Sequence, residues 1–374
     1  MEVLVTGAGG FIGQNLMAAI GRLPELKTHA LGRTHTSKEL EEVLSSVDFV
    51  FHLAGVNRPD DDDEFRTVNA ELTERICQLL KRRGELVPVV LASSIQAAMD
   101  NPYGISKRQA EDSVTAYSKA SGARAAIYRL KNVFGKWCRP KYNSVVATFC
   151  NHVARDLQVT VSDPDNRLEL LYIDDVVAQL LSELERPQDG DLTHPDVKPV
   201  HEVTLVKLLE LIRGFRQTRQ QTDTPDLRES FKQKLYATYL SHVPEEDLVY
   251  ELEKKADARG VLAEFARGEC FGQFFVSRTA PGVTRGNHYH DTKTEKFLLL
   301  AGEAVVRMRR IGSQEVAQYR VKGEELRVVD IPPGLTHSIE NVGTEDLITL
   351  FWASEEFDQN RPDTYAMNVL EEMG

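Results

Sequence analysis

The chain opens on a short apolar run, EVLVT (2–6), which predicts a buried strand. The glycines of GAGGFIG follow, and FIGQNLMAAIGRL then repeats its apolar positions at helical spacing. The same alternation continues downstream. THAL (28–31) predicts a second strand, and SKELEEVLSSV (37–47) a helix with Ser37 as its N-cap. DFVFHLAG (48–55) predicts a third strand closed by a Gly turn. DEFRTVNAELTERICQLLKRRG (63–84) reads as a long amphipathic helix stopped by Gly84. VPVVLASS (87–94) and ARAAIYRL (123–130) are further strands, with a helix opening at Tyr103 between them. Strands alternating with helices predict an α/β fold with a doubly wound parallel sheet.

The texture changes after about residue 244. From 260 onward β-rich runs alternate with Gly, Pro and charged turns: FGQFFVSRTAPG, EKFLLLAGEAVVRMRRIG, ELRVVDIPPG and DLITLFWAS. That spacing predicts an antiparallel barrel or sandwich. Two domains follow, 1–243 and 244–374. The polar stretch RQTRQQTDTPD (216–226) is expected to be a surface loop.

Composition narrows the function classes. At 374 residues the chain is long enough for two cores, and its 41% apolar and 27% charged residues are those of a water-soluble globular protein. A net charge of -12 argues against non-specific binding to nucleic acid or to anionic membranes. The four cysteines, Cys77, Cys138, Cys150 and Cys270, form no CxxC pair, so neither a disulfide framework nor a zinc ribbon is signalled. With no basic n-region before the Gly-rich turn and no apolar run long enough to cross a bilayer, a cytoplasmic protein without a membrane partner is expected.

The Gly-rich turn between strand and helix lets backbone approach a pyrophosphate at the helix N-terminus. Alone, GxxGxxG is weak. Here it is joined by HLAG (52–55), Asn69 in VNAE, Ser93 and Ser94, and YGISK with Tyr103 and Lys107. Together these resemble the extended short-chain dehydrogenase/reductase family over about residues 1–240, which implies a Rossmann-type domain. The chemistry fits the residue types. A ketone under reduction needs a proton donor, and a tyrosine whose pKa a neighbouring lysine lowers can serve. Lys107 lies one helical turn from Tyr103, on the same face. The resemblance makes Ser94 the carbonyl-binding hydroxyl, with Ser93 as the fallback. It makes Asn69 the helix-distorting fourth member, and Gly7, Gly10, Phe11, Ile12, Gly13, Leu53, Ala54 and Gly55 the cofactor lining. The pattern also departs from the family. Little chain separates Arg33 from the HLAG strand, so one strand–helix unit is trimmed, and Ser94 and Tyr103 are closer than usual.

At the end of strand two, LGRT has Arg33 where a carboxylate would hold a ribose 2′-hydroxyl. Arg33 can hold a 2′-phosphate, which favours NADPH. RLKNVFGKWCRPKYNS (129–144) has five basic residues and no acidic one. Its NVFG resembles the family segment beside nucleotide-sugar phosphates. Asn132, Lys136 and Arg139 are candidates for a substrate diphosphate, and Trp137 or Tyr142 for stacking on a base.

GVTRGNHYHDTKTEKFLLLAG and PPGLTHSIEN resemble the two cupin motifs, although the glycine that opens the second is displaced. His288, His290, Glu295 and His337 then become ligands of a divalent metal, zinc by preference. Two imidazoles at HxH spacing on a strand share one face. DARGVLAEF (257–265) and RGNHYH (285–290) also resemble the sugar-nucleotide 3,5-epimerases, in which the position of His288 is the catalytic base. A metal-bound imidazole is a poor base. Either His288 is a ligand and another group, such as Lys296, takes the proton, or the metal is held by the other three.

A 4-keto sugar links the two ends: its ketone acidifies the C3 proton and accepts hydride at C4. A short-chain reductase fused to a cupin resembles the bifunctional capsular polysaccharide enzymes of the CapF type. The resemblance implies C3 epimerisation of UDP-2-acetamido-2,6-dideoxy-L-arabino-hexos-4-ulose in the cupin, then NADPH reduction to UDP-N-acetyl-6-deoxy-L-talosamine, a precursor of N-acetyl-L-fucosamine. A UDP-sugar substrate and a homodimer are expected. The alternatives are reductase activity alone with a structural or dimerising cupin, and a cofactor-sensing regulatory protein.

Overall fold

Strand β1 (Glu2–Thr6) is buried almost throughout, as a central strand of a two-sided parallel sheet must be. The computed structural model describes residues 1–59, 61–161, 163–221, 224–251, 255–257, 260–262, 272–355 and 360–370. The chain divides into two compact units: Met1–Ser144 with Arg167–Val203, and Val145–Asn166 with Thr204–Gly374.

After β1 come α1 (Phe11–Ile20), β2 (Lys27–Leu31), α2 (Ser37–Leu44) and β3 (Phe49–His52). The cap of α2 is Thr36 and not Ser37. Its hydroxyl accepts from the Glu39 N–H, and the Glu39 carboxylate reaches back to the Thr36 N–H, a reciprocal capping box. The third strand ends at His52, before the Gly turn. The helix expected from residue 63 begins as a π-helical stretch, Phe65–Glu71, and becomes α3 (Leu72–Arg83). Gly84 ends it in the left-handed conformation, as expected of a C-terminal glycine. Next are β4 (Val89–Ser94), α4 (Pro102–Ser121), β5 (Ala125–Leu130), β6 (Asn132–Phe134), α5 (Val145–Ala154), β7 (Arg167–Tyr172), α6 (Ile173–Leu181), β8 (Leu192–Thr193) and β9 (His201–Thr204).

Six of these strands form one parallel sheet in the order β2-β1-β3-β4-β5-β8. A single strand, β2, lies outside β1, where the usual nucleotide-binding order has two. The unit trimmed in the sequence is therefore that outer strand. Leu4, Val50, Leu91 and Ile127 of the sheet pack against Ile76, Leu80, Val114 and Tyr117 of α3 and α4. Each fully buried aliphatic side chain there contributes about 1.5–3 kcal/mol.

In the second unit, α7 (Leu205–Gln221) runs through much of the polar stretch expected to be a loop, and α8 (Ser230–Leu240) follows. The strands are β10 (Val249–Glu251), β11 (Lys255–Asp257), β12 (Gly260–Leu262), β13 (Gln273–Thr279), β14 (Thr284–Tyr289), β15 (Glu295–Ala301), β16 (Glu303–Arg310), β17 (Val316–Lys322), β18 (Arg327–Ile331), β19 (Leu335–Asn341), β20 (Leu347–Ala353) and β21 (Tyr365–Ala366). They make two five-stranded sheets, β10-β18-β15-β20-β13 and β17-β16-β19-β14-β21. All of the partner registers assigned within them are antiparallel. Among the described residues no strand pairing joins the two sheets into a closed ring. Among the described residues no helix is long and apolar enough to cross a membrane. Cys77, Cys138 and Cys150 are buried thiols outside any disulfide, and Cys270 lies outside the described residues.

Candidate active sites

The Gly-rich turn is built by close approach. Gly7 has φ +68°, and a Cβ there would sit 2.7 Å from the Ala54 nitrogen. A Cβ on Gly13 would sit 2.1 Å from the Gly7 oxygen. Only glycine lets α1 start this near the ends of β1 and β3. Gly10 caps α1, and the segment Phe11–Gly13 forms its first turn. Leu53 and Ala54 donate backbone N–H to the Thr6 carbonyl and hydroxyl. Arg33 stands exposed in the turn after β2.

Beneath that turn runs a buried relay with a defined direction. Thr73 donates its hydroxyl to the Asn69 carbonyl at 2.7 Å. His52 Nε2 therefore donates to the Thr73 oxygen (2.8 Å), and His52 Nδ1 accepts from the Thr6 hydroxyl (2.6 Å). The imidazole is neutral: burial and, secondarily, the Lys107 charge push its pKa down to about 3. Asn69 sits in the π-helical stretch. It accepts from the Val56 N–H (2.8 Å), and donates to the Val56 carbonyl (2.9 Å) and the Ser106 hydroxyl (3.0 Å). Ser106 donates in turn to the Tyr103 carbonyl at 2.8 Å.

Helix α4 carries Tyr103 and Lys107. Asn101 caps it by accepting from the Gly104 N–H. Gly104 lets it pack on the short 3₁₀ turn Ile95–Ala98, because a Cβ there would meet the Gln96 carbonyl at 2.3 Å. That turn closes the short Ser94–Tyr103 interval and brings the serine hydroxyl near enough to act on the phenol. Lys107 is buried and donates to the Ala92 carbonyl at 2.7 Å. The expected lowering of the Tyr103 pKa by Lys107 is not what this geometry gives. Burial dominates and pushes the phenol above its ordinary value, against the opposing influence of Ser94. The lysine is itself depressed to about 8 by burial, with Glu111 opposing. Ser93 is not an alternative to Ser94. It is buried and gives its hydroxyl to Glu111 at 2.5 Å, and Glu111 is also gripped by Arg129.

The second cluster lies in the C-terminal unit. His288 and His337 are register partners across β14 and β19, and Glu295 opens β15. One donor atom each of His288, His290, Glu295 and His337 lies within 4.8 Å of all the others. The Nε2 atoms of His290 and His337 are both 3.4 Å from the same Glu295 oxygen. Both are buried, and neither has a hydrogen-bond partner among the described residues. Unpaired buried imidazole nitrogens beside a carboxylate are a donor set that suits a divalent cation. Burial opposes ionisation of Glu295, yet the adjoining imidazoles of His290 and His337 hold its carboxyl well below the usual range. His288 is only half-buried and faces a cavity of 490 Å³, lined also by Arg278, Arg285, Phe297 and Phe351. Burial first, then the neighbouring histidines, pushes its pKa down to about 4.

Lys296 is not beside this cluster. One residue on from Glu295, it takes the other face of β15, and its ammonium bonds Asp330 (2.7 Å) and the Tyr250 hydroxyl (2.6 Å).

Residues 3–195 match the model of the NAD dependent epimerase/dehydratase family, and residues 255–365 match the polysaccharide biosynthesis C-terminal domain. The chain belongs to the NAD-dependent epimerase/dehydratase family. It is 41% identical, over 99% of its own length and 100% of the relative's, to the UDP-2-acetamido-2,6-beta-L-arabino-hexul-4-ose reductase of Pseudomonas aeruginosa. Among solved structures it is similar to the capsular polysaccharide assembling protein CapF of Staphylococcus aureus, with 40% identity, a TM-score of 0.66, and 99% and 100% of the two chains covered. A UDP-glucuronic acid 4-epimerase of Bacillus cereus in complex with NAD, at 18% identity and TM-score 0.52 over 58% of this chain and 83% of that one, shares the fold of this family.

Against the family frame, the basic stretch 129–144 is less available than its sequence suggests. Arg129 is held by Glu111, Lys131 by Glu169, and Lys136 is buried with its ammonium on Asp174 at 2.6 Å. Lys136 is thus a buried ion-pair partner and not an exposed phosphate ligand. Asn132 and Arg139 are exposed. Tyr142 comes near enough to Tyr103 to act on its phenol, whereas Trp137 lies by the Lys136 ammonium. DARGVLAEF falls mainly outside the described residues. Sequence reading missed His52, Thr6, Thr73 and Asp363. The HLAG motif contained His52, and only its apolar flanks drew notice.

Proposed function

We propose that the chain is a bifunctional nucleotide-sugar enzyme with a reductase domain (1–243) and a cupin-barrel domain (244–374). The cupin inverts C3 of a UDP-linked 4-keto-6-deoxy-N-acetylhexosamine. The reductase then converts the C4 ketone to the alcohol with NADPH, giving UDP-N-acetyl-6-deoxy-L-talosamine. The observation that carries this reading is Tyr103 close enough to Ser94 for the serine to act on its phenol, with Lys107 one helical turn on and its ammonium beside Gly55. The substrate is supported by the name of the Pseudomonas relative and by its full-length match.

In this reading Tyr103 gives its phenolic proton to the C4 oxygen while the Ser94 hydroxyl donates to the same atom. Lys107 supplies positive charge one helical turn from the tyrosine, and Asn69 ties the loop at Val56 to the Tyr103 helix through Ser106. NADPH, when bound, supplies the hydride. Gly7, Gly10, Phe11, Ile12, Gly13, Leu53, Ala54 and Gly55 line its dinucleotide, and Arg33 takes the 2′-phosphate. Asn132 and Arg139 hold the sugar diphosphate. In the cupin, the half-exposure of His288 at the cavity supports it as the base for the C3 proton, which leaves the buried His290, Glu295 and His337 for the metal. Zinc held by those three residues would cross-link the segments that carry them and would supply positive charge at the cavity. The protein works as a homodimer in the cytoplasm, without nucleic-acid or membrane partners.

The test is incubation of the pure chain with 4-keto UDP-sugars in deuterated water. Deuterium at C3 without NADPH, and NADPH oxidation when it is added, are the expected results. No oxidation with any such sugar points instead to a cofactor-sensing protein. A second reading, reduction alone, is favoured by the relative's name, which mentions only a reductase; oxidation without C3 exchange would establish it.

A further inference from the structure

We propose that Asp363, from the C-terminal tail, is the positioning residue of the histidine–glutamate centre. Its backbone carbonyl fixes the ring of His290, and its carboxylate fixes the turn that leads from His290 to Glu295. The inference rests on the metal reading above.

Asp363 is 73 residues from His290 in sequence and belongs to neither motif that marks the centre. Its carbonyl oxygen lies 2.6 Å from His290 Nδ1. A carbonyl has no proton to give, so Nδ1 carries the hydrogen and Nε2 keeps its lone pair. That Nε2 is the atom 3.4 Å from Glu295 with no hydrogen-bond partner. The contact thus selects the tautomer a ligand needs and aims it. Histidine ligands commonly give their second ring N–H to a carbonyl in this way.

The carboxylate acts on the next residues. It accepts the backbone N–H of Asp291 (2.9 Å), Thr292 (3.0 Å) and Lys293 (2.7 Å), and the Thr292 hydroxyl (2.9 Å). Lys293 returns the grip, donating to the Pro362 carbonyl (3.1 Å) and the Thr364 hydroxyl (2.9 Å). Asp363 is itself buried at φ 38°, a conformation L-residues seldom adopt and aspartate tolerates. The tail is anchored beyond it. Tyr365 and Ala366 pair with Tyr289 and His288, Met367 N–H donates to the Asn287 carbonyl (2.8 Å), and Arg309 donates to the Asn368 and Val369 carbonyls (2.8 Å each). From Asn287 to Lys293, the segment that carries two of the three imidazoles is therefore held by the tail.

Asp363→Asn tests this with little change of shape. One amide oxygen remains, but the NH₂ turns donors against the backbone N–H groups the carboxylate accepted. Zinc affinity of the full chain is measured by competition with a chelator, and the melting temperature of the metal-free form is recorded beside it. The expected result is affinity weaker by on the order of 10–100-fold. A lower metal-free melting temperature with wild-type zinc affinity means a structural role only and overturns the proposal. No zinc binding by the wild-type chain, or undiminished binding by His290→Ala, overturns the metal centre itself and the role with it. Should Asp363→Asn fail to fold, the ¹⁵N-histidine spectrum of the zinc-loaded wild-type chain decides. Hydrogen on Nδ1 of His290 is expected, and hydrogen on Nε2 overturns the proposal.

Discussion

Around Tyr103 the buried polar groups answer one another, whereas around Glu295 two buried imidazole nitrogens face one carboxylate oxygen without a hydrogen-bond partner among the described residues. In the N-terminal unit Thr6, His52, Thr73, Asn69 and Ser106 form a continuous relay to the Tyr103 backbone, and Lys107 rests on a carbonyl. In the C-terminal unit the outer nitrogen of His290 is bonded, but the inner ones of His290 and His337 are not. An unpaired buried polar atom costs about 1–3 kcal/mol, so two of them side by side are what the proposed metal would offset. The first site is a frame finished by its own hydrogen bonds. The second is a frame that the proposed ion would complete. The two should therefore respond to opposite perturbations.

The largest expected effect strikes the first site alone. Tyr103→Phe removes the proton donor and leaves the frame, because the relay ends on the Tyr103 carbonyl and not on its ring. NADPH oxidation should fall by about 10²–10⁴-fold or more, while C3 deuterium exchange persists. Loss of both activities in a folded variant would break the separation. His288→Gln is the mirror image: exchange should vanish while zinc content and NADPH oxidation are retained.

The next effect sharpens the claim that an ion completes the second site. Glu295→Ala or His337→Ala should lower zinc content by elemental analysis and lower the melting temperature of the C-terminal unit, because metal binding to the folded state is folded-state stability. Unchanged metal content in both would sink the ligand assignment.

Acid is the complementary perturbation of the first site. His52 is buried neutral, with its pKa near 3 when folded against 6.5 in the unfolded chain. Between those values the unfolded chain binds the extra proton. Stability is therefore intact above about pH 6.5 and is lost as the pH falls towards 3, by about 3–5 kcal/mol in total. His52→Asn or His52→Gln should flatten that part of the acid-denaturation curve, and an unchanged slope would remove His52 from the buried relay. At the other end, NADPH oxidation should decline above about pH 8 as Lys107 loses its proton.

How much of this was legible in the sequence follows range along the chain. The Gly-rich turn, YxxxK and HxH are short-range spacings, and the fold keeps the residues of each close together. Asp363 was invisible because it reaches its partners across 70 or more residues, with no spacing to mark it. Lys136 misled for a related reason: a basic run looks free until the fold supplies Asp174. Residues 216–221 read as loop because their side chains are polar, yet a helix needs only one apolar stripe, and α7 has it in Leu208, Leu209, Ile212 and Phe215. The Ser37 cap was wrong by one residue, and the reciprocal Thr36–Glu39 pair decides it.

The smallest effect concerns a residue outside both frames. Arg33 stands exposed in the turn that follows β2, on the strand next to the Gly-rich turn, and it carries no part of the relay. Removing it should leave folding unchanged. If its guanidinium holds the 2′-phosphate of NADPH, Arg33→Ala loses one charge-assisted contact, about 1–3 kcal/mol, or roughly 5–150-fold in cofactor affinity. NADH has no 2′-phosphate, so its affinity should hardly move. The measurement is Kd for both cofactors, by fluorescence titration at two ionic strengths. Exposed charge contacts are screened by salt, so the NADPH difference between wild type and variant should narrow at the higher strength. Equal weakening of NADPH and NADH would reject Arg33 as the 2′-phosphate ligand and leave cofactor choice to a group nearer the first site.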